Sequence, residues 1–146
     1  QVTFRELWEG SLAIEPVVAR YAAERITSDE IQQLRRNIEQ MEKAGSVKRV
    51  VELDIEFHNM LAHAARNRAL ILAREPISLL FMPAGRAILP KLKTQQRIID
   101  AHRAILEAIE RRDVDDAESW MARHMRDFRR GYERTGLDMD APLQAG

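Results

Sequence analysis

The stretch from Ile98 to Phe128 reads IIDAHRAILEAIERRDVDDAESWMARHMRDF, and its reading decides the fold. Ile98, His102, Ile105 and Ile109 recur at four- and three-residue steps, and Ala117, Met121, His124 and Phe128 repeat those steps. Each set is one apolar stripe of an amphipathic helix. Between them Asp113 is a good helix cap, followed by acidic residues where a first turn favours them. Asp113 is eleven residues from His102 and eleven from His124. If the chain folds back about Asp113 as an antiparallel hairpin, equal rise on both sides sets the two imidazoles at one height, facing one core. Both histidines replace a core hydrophobe, and a buried polar group needs a partner.

Upstream, Val47, Val50, Val51, Asp54, Phe57, His58 and Leu61 form another helical stripe, with Asp54 and His58 four apart and so adjacent. One carboxylate and three imidazoles, all on apolar faces, make a ligand set suited to zinc, nickel, cobalt, manganese or iron. The alternative is three separate, hydrogen-bonded core histidines with Asp54 merely orienting His58. His63 supplies a contrast. It falls nine residues after Asp54, roughly 180° around the helix, on a polar side with Glu56, Asn59 and Arg66. It is excluded as a ligand.

The 146 residues are enough for one domain with a real core, and 45% hydrophobic content marks a globular chain. Lys plus Arg and Asp plus Glu both number 23, and no basic run is interleaved with aromatics, so nothing resembles a nucleic-acid-binding surface. The absence of cysteine removes disulfides, thiolate metal sites and cysteine nucleophiles, and makes a cytoplasmic location the default. The longest apolar stretch, Ile77 to Ala84, is too short to span a bilayer, and no signal peptide is visible. The chain opens on Gln1 in sequence that already looks helical, and is read as a fragment with something preceding it.

Strong helix formers fill every periodic segment and no strand alternation appears, so an all-α antiparallel bundle of about six to eight helices is expected, with a central metal site. The periodicity predicts helices over Phe4–Ile14, Pro16–Ile26, Ser28–Ala44, Val47–Arg66, Ala69–Phe81, Ala84–Leu89, Lys93–Arg111 and Val114–Arg134. Pro16 is read as a break or as a kink in one continuous first helix. Pro76, Pro83 and Pro90 are expected to divide the middle, and residues 136–146 to form a flexible tail.

The chain has no Glu-x-x-His pair of the di-iron bundles, no His-Glu-x-x-His, no phosphate-binding glycine loop and no nucleophile elbow. Four pieces, in order, resemble one known family. Ile14-Glu15-Pro16 with Ala19 and Ala22-Ala23-Glu24-Arg25 looks like the opening helix of the FadR-type C-terminal (FCD) domain, the effector-binding half of many GntR-family bacterial transcription regulators. Asp54-Ile55-Glu56-Phe57-His58 with Leu61, Ala64 and Asn67 is similar to its Asp-x-x-Phe-His signature. His102 to Ile109, and then Asp113, Ala117, Met121 and His124, look like its closing hairpin. The resemblance covers nearly the whole chain.

In metal-binding members of that family the ligands fall on Asp54, His58, His102 and His124, the four that periodicity selects. The resemblance points to the branch sensing small organic acids, since acyl-CoA binders lack this set. It implies a homodimer and a winged-helix DNA-binding domain before residue 1, with residues 1–135 as the effector-binding and dimerisation domain. Zinc is the first expectation for the metal. Asn67 and Arg86 are candidates to line an effector pocket, with a helix cap and a surface arginine as their simpler roles. Ser11 departs from the family, which commonly has arginine four residues before the helix-one glutamate. A mononuclear metal-dependent hydrolase or lyase is the competing expectation, but the nearest acid besides Asp54 is Asp127, off the stripe centre, and no glutamate lies on the three stripes. A third reading makes the metal purely structural.

Overall fold

The computed structural model describes residues 1–92 and 95–143, with backbone alone for residues 82–92. Among these residues it is all-α, with six helices: α1 Phe4–Arg25, α2 Ser28–Glu42, α3 Val47–Ala64, α4 Arg68–Leu92, α5 Gln95–Glu110 and α6 Val114–Arg134. Local chemistry sets most boundaries. Thr3 and Thr27 form capping boxes with Glu6 and Glu30, and Ser46 and Asp113 cap α3 and α6. Arg112 takes a positive φ of 57° at the α5–α6 reversal, so the hairpin turns where the cap was expected.

Of the two readings open to Pro16 the continuous helix holds, while the division expected in the middle of the chain is absent. Pro16 lies inside a continuous α1, and α4 runs unbroken through Pro76, Pro83 and Pro90. Proline removes one backbone hydrogen bond to the carbonyl four residues earlier. For Pro76 that carbonyl belongs to Leu72, whose exposed position lets water take the bond. The three prolines are seven residues apart, so they share one helical face rather than interrupting the helix on every side.

The hairpin α5–α6 packs against α1, which runs along α6 for much of its length, while α3 and α4 close the other side. Val18, Leu34, Leu53, Phe57, Ile105, Ile109 and Met121 are among the buried side chains of the main core. A second apolar cluster gathers Phe4, Trp8, Tyr132 and Met139. The Trp8 indole N–H donates to the Met125 carbonyl at 2.8 Å, fixing α1 against α6 next to His124. α1 and α4 meet at Gly10, where an added Cβ would stand 2.9 Å from Ile77 Cδ1 and turn that side-chain end aside.

The expectation of a flexible tail is corrected as far as Leu143. The Leu143 N–H donates to the Val2 carbonyl, the Arg5 N–H to the Met139 carbonyl, and Met139 is buried. Arg5 and Asp140 add a two-pronged ion pair. Burial of Met139 and these backbone bonds supply what a free terminus lacks. No helix among the described residues is long and apolar enough to cross a membrane.

Candidate metal centre

The Asp54 and His58 side chains project from α3, His102 from α5 and His124 from α6. One ligand atom from each lies within 4.8 Å of all the others. His102 Nε2 stands 3.1 Å from Asp54 Oδ1 and 3.3 Å from His124 Nε2, and His58 Nε2 is 3.7 Å from the same carboxylate oxygen. Metal–ligand bonds of about 2.0–2.2 Å place neighbouring ligand atoms roughly 3–3.5 Å apart; the two His102 separations fall in that range and the His58 one is slightly longer. His102 is fully buried and stacks on Phe57 with ring centroids 3.9 Å apart. Its height beside His124 follows from the equal spacing about Asp113.

Electrostatics make the cluster unfinished. Burial is the largest influence on Asp54 and pushes its pKa up, yet the imidazoles of His102, His58 and His124 outweigh it and hold the carboxyl ionised, well below the usual range. Despite the close approach of His102, Asp54 Oδ1 is buried and receives no hydrogen bond. Burial lowers His102, with Asp54 opposing, and depresses His124 strongly, helped by the neighbouring imidazoles. Both are therefore neutral near pH 7, with a lone pair available. An ionised oxygen without a donor and neutral imidazoles converging on it are what a divalent cation completes. The donor set fits zinc and also suits nickel, cobalt, manganese or iron.

Behind His58 stands a second polar group that the sequence reading did not select. Glu15 of α1 is buried, with Oε2 3.4 Å from His58 Nδ1 and Oε1 accepting from Arg74 Nε at 2.6 Å. Arg74 of α4 also donates through Nη1 to Asn59 Oδ1 at 2.8 Å. Burial pushes Glu15 up, but His58 and Arg74 outweigh it and keep the carboxyl ionised. Glu15 and Asp54 in turn raise His58 against the opposing effect of its burial. A carboxylate on Nδ1 orients the ring and leaves Nε2 for the cluster, a common arrangement behind metal-binding imidazoles. The sequence held one signal: Glu15 sits, one turn from Ser11, in a face of α1 otherwise made of Leu12, Val18, Ala19 and Ala22.

A cavity of about 80 Å³ opens beside the cluster, lined by Asp54, His58 and His124, by Ser11, Glu15, Arg74 and Ser78, and by apolar side chains including Phe81 and Phe128. Asn67 does not line it. Its Oδ1 instead accepts from the Leu70 N–H at 3.1 Å, capping the start of α4. The Arg86 side chain lies outside the described residues. His63 is exposed, as its place on the polar side of α3 required. Asp127 pairs with Arg97 at 3.0 Å and does not line the cavity.

A family profile described as the FCD domain matches residues 6–127. The chain belongs to the FCD domain family. Among solved structures, this FCD domain is similar to Streptococcus agalactiae GntR, with a TM-score of 0.69 and 30% sequence identity. The likeness covers 87% of this chain and 58% of that one, so the FCD domain spans little more than half the length of that protein. A comparison with curated proteins finds no match.

Proposed function

We propose that this FCD domain is the sensor half of a GntR-type transcription regulator: it binds one divalent metal through Asp54, His58, His102 and His124, and a small organic acid in the adjoining cavity. The observation that carries the reading is the buried, ionised Asp54 oxygen that receives no hydrogen bond while three imidazoles converge beside it. A divalent ion supplies Lewis acidity and net positive charge in a low-dielectric cavity, which favours an organic anion. The protein's own contribution is to keep Asp54 ionised and two imidazoles neutral, and to hold His58 through Glu15. Metal content of the purified chain tests the site: about one ion per chain is expected, lost in His102→Ala and His124→Ala and retained in His63→Ala. Equal content in all three variants refutes it.

Regulation requires a second body. The effector changes DNA affinity only by binding two arrangements of the regulator unequally, and a homodimer on a two-fold operator is the simplest such device. Leu72, Leu79 and Leu80 leave an exposed apolar face on α4, opposite the face carrying Arg74, which supports self-association. With balanced charge and no basic recognition helix, residues 1–146 alone are expected to give no sequence-specific mobility shift. A full-length protein with a winged-helix segment ahead of Gln1 is expected to give one that the effector alters. Turnover is disfavoured by the placement of the acids. The one glutamate brought to the site, Glu15, is locked between His58 Nδ1 and Arg74, and so is not free to exchange protons with a substrate.

A further inference from the structure

The polar residues of the cavity come from two sides. Asp54, His58 and His124 belong to α3 and α6, whereas Ser11, Arg74 and Ser78 belong to α1 and α4. Ser78 lies one turn beyond Arg74 on α4, so hydroxyl and guanidinium share a helical face. Arg74 is a buried cation on a cavity wall, 7% exposed. Its Nε and Nη1 are committed to Glu15 and Asn59, while Nη2 finds no acceptor among the described residues. A guanidinium presents five N–H donors in a fixed fork, so Arg74 on the cavity wall keeps the donors of Nη2 for an acceptor placed there.

Charge and donor supply separate here. Glu15 cancels the charge of Arg74, so this side exerts little net attraction at a distance; the pull on an anion comes from the metal side. What Arg74 adds is direction, through donors already fixed by two other hydrogen bonds and so losing little entropy when an acceptor arrives. Ser11 and Ser78 can each donate or accept beside it. A plain monocarboxylate engaged at the metal side leaves these groups facing its hydrocarbon end, with their hydration stripped away and nothing in exchange.

We infer that Arg74 is the second anchor of the effector site, and that the effector is a short acid with a carboxylate at each end. One end meets the metal side and the other meets Arg74 with Ser11 and Ser78. A cavity of about 80 Å³ with polar groups on both sides suits a backbone of a few carbons. The inference rests on the metal-dependent acid-sensing role proposed above.

Calorimetric titration of the zinc-loaded chain with malonate, succinate and glutarate, each against the monocarboxylate of equal carbon number, separates the two ideas. At least one diacid is expected to bind tenfold or more tightly than its partner. In Arg74→Gln that diacid weakens by about ten- to hundredfold, the range for a charge-assisted hydrogen bond, while the monocarboxylate changes less than threefold. Arg74→Lys preserves the charge beside Glu15, guards against loss of fold in the glutamine variant, and is expected to lose most of the diacid preference because it lacks the fork. Zinc content and helical circular dichroism are measured for each variant. Equal affinity of diacid and monoacid in the unaltered chain, or an equal loss of both in Arg74→Lys, overturns the role of Arg74 and leaves the metal-dependent sensor standing. No binding of any acid to zinc-loaded chain, or binding undiminished by zinc removal, overturns the sensor and this inference with it.

Discussion

Two buried polar groups share His58 and differ in completeness. The Glu15–Arg74–Asn59 set is satisfied apart from Arg74 Nη2: carboxylate meets guanidinium, guanidinium meets amide, and the second carboxylate oxygen faces an imidazole. The Asp54 cluster is open. Of the three buried side-chain atoms without a hydrogen-bond partner among the described residues, Asp54 Oδ1 and His102 Nδ1 belong to it, the third being Asn37 Oδ1. A closed network rigidifies what surrounds it, whereas an open one awaits something from outside the chain. The difference separates a cluster that lacks a charge to complete it from a set that balances its own charges and keeps one donor group, Arg74 Nη2, to spare.

The largest expected effect breaks the open cluster. Chelation of the metal-loaded chain removes binding free energy that exists only in the folded state, about 4 kcal/mol at a free metal concentration a thousand times Kd, and exposes the same defect as His102→Ala. Thermal unfolding with and without chelator reads it as a lowered midpoint. An unchanged midpoint with metal removal verified would show that the cluster is complete without an ion.

Arg74→Ala opens the closed network. It strands Glu15 as a buried carboxylate facing only His58, at an expected loss of about 3–5 kcal/mol, measured by urea unfolding. Replacing both charges by apolar side chains of similar volume, Glu15→Leu with Arg74→Met, removes the pair together and is expected to cost far less. If the double variant is as unstable as the single one, the network does more than satisfy itself.

A pH titration of the metal-free chain sharpens the comparison with a smaller effect. His102 and His124 have lowered values, so their contribution to stability is full above the ordinary imidazole range and is lost as pH falls through their folded values. His58 is raised, so its contribution is full below that range and is lost as pH rises through its folded value. Two groups oppose one, and one of the two is strongly depressed. The midpoint of the metal-free chain is therefore expected to fall between pH 7.5 and 5.5, and more steeply with metal, because protons compete for the ligands. A flat profile would mean that the imidazoles are not buried as described. The smallest effect belongs to His63→Ala, which lies outside both networks and is expected to change stability by less than about 0.5 kcal/mol.

Helices, caps and the hairpin were legible because each depends on neighbours within a few residues. Asp113 with its flanking stripes forecast both the turn and the level meeting of His102 with His124. Proline was over-read in α4: its local cost is real, but a helix already packed on α1 and α3 tolerates the loss where water reaches the freed carbonyl. Of the two roles open to Asn67, pocket wall or helix cap, its side chain takes the α4 cap.

The sequence by itself determined that four polar residues occupy apolar helical faces, that three histidines face inward while His63 does not, and that the chain is all-α, because period and capping are short-range properties. Only the tertiary structure decided what lies behind and beside those ligands. Glu15 and Arg74 are 59 residues apart, and nothing local to either announces the other. Their pairing follows from the packing of α1 on α4, and the cavity between the two polar sides exists only once five helices have met around it. Charge pairing across distant helices is set by which faces packing brings together, and that choice is made by the whole core at once.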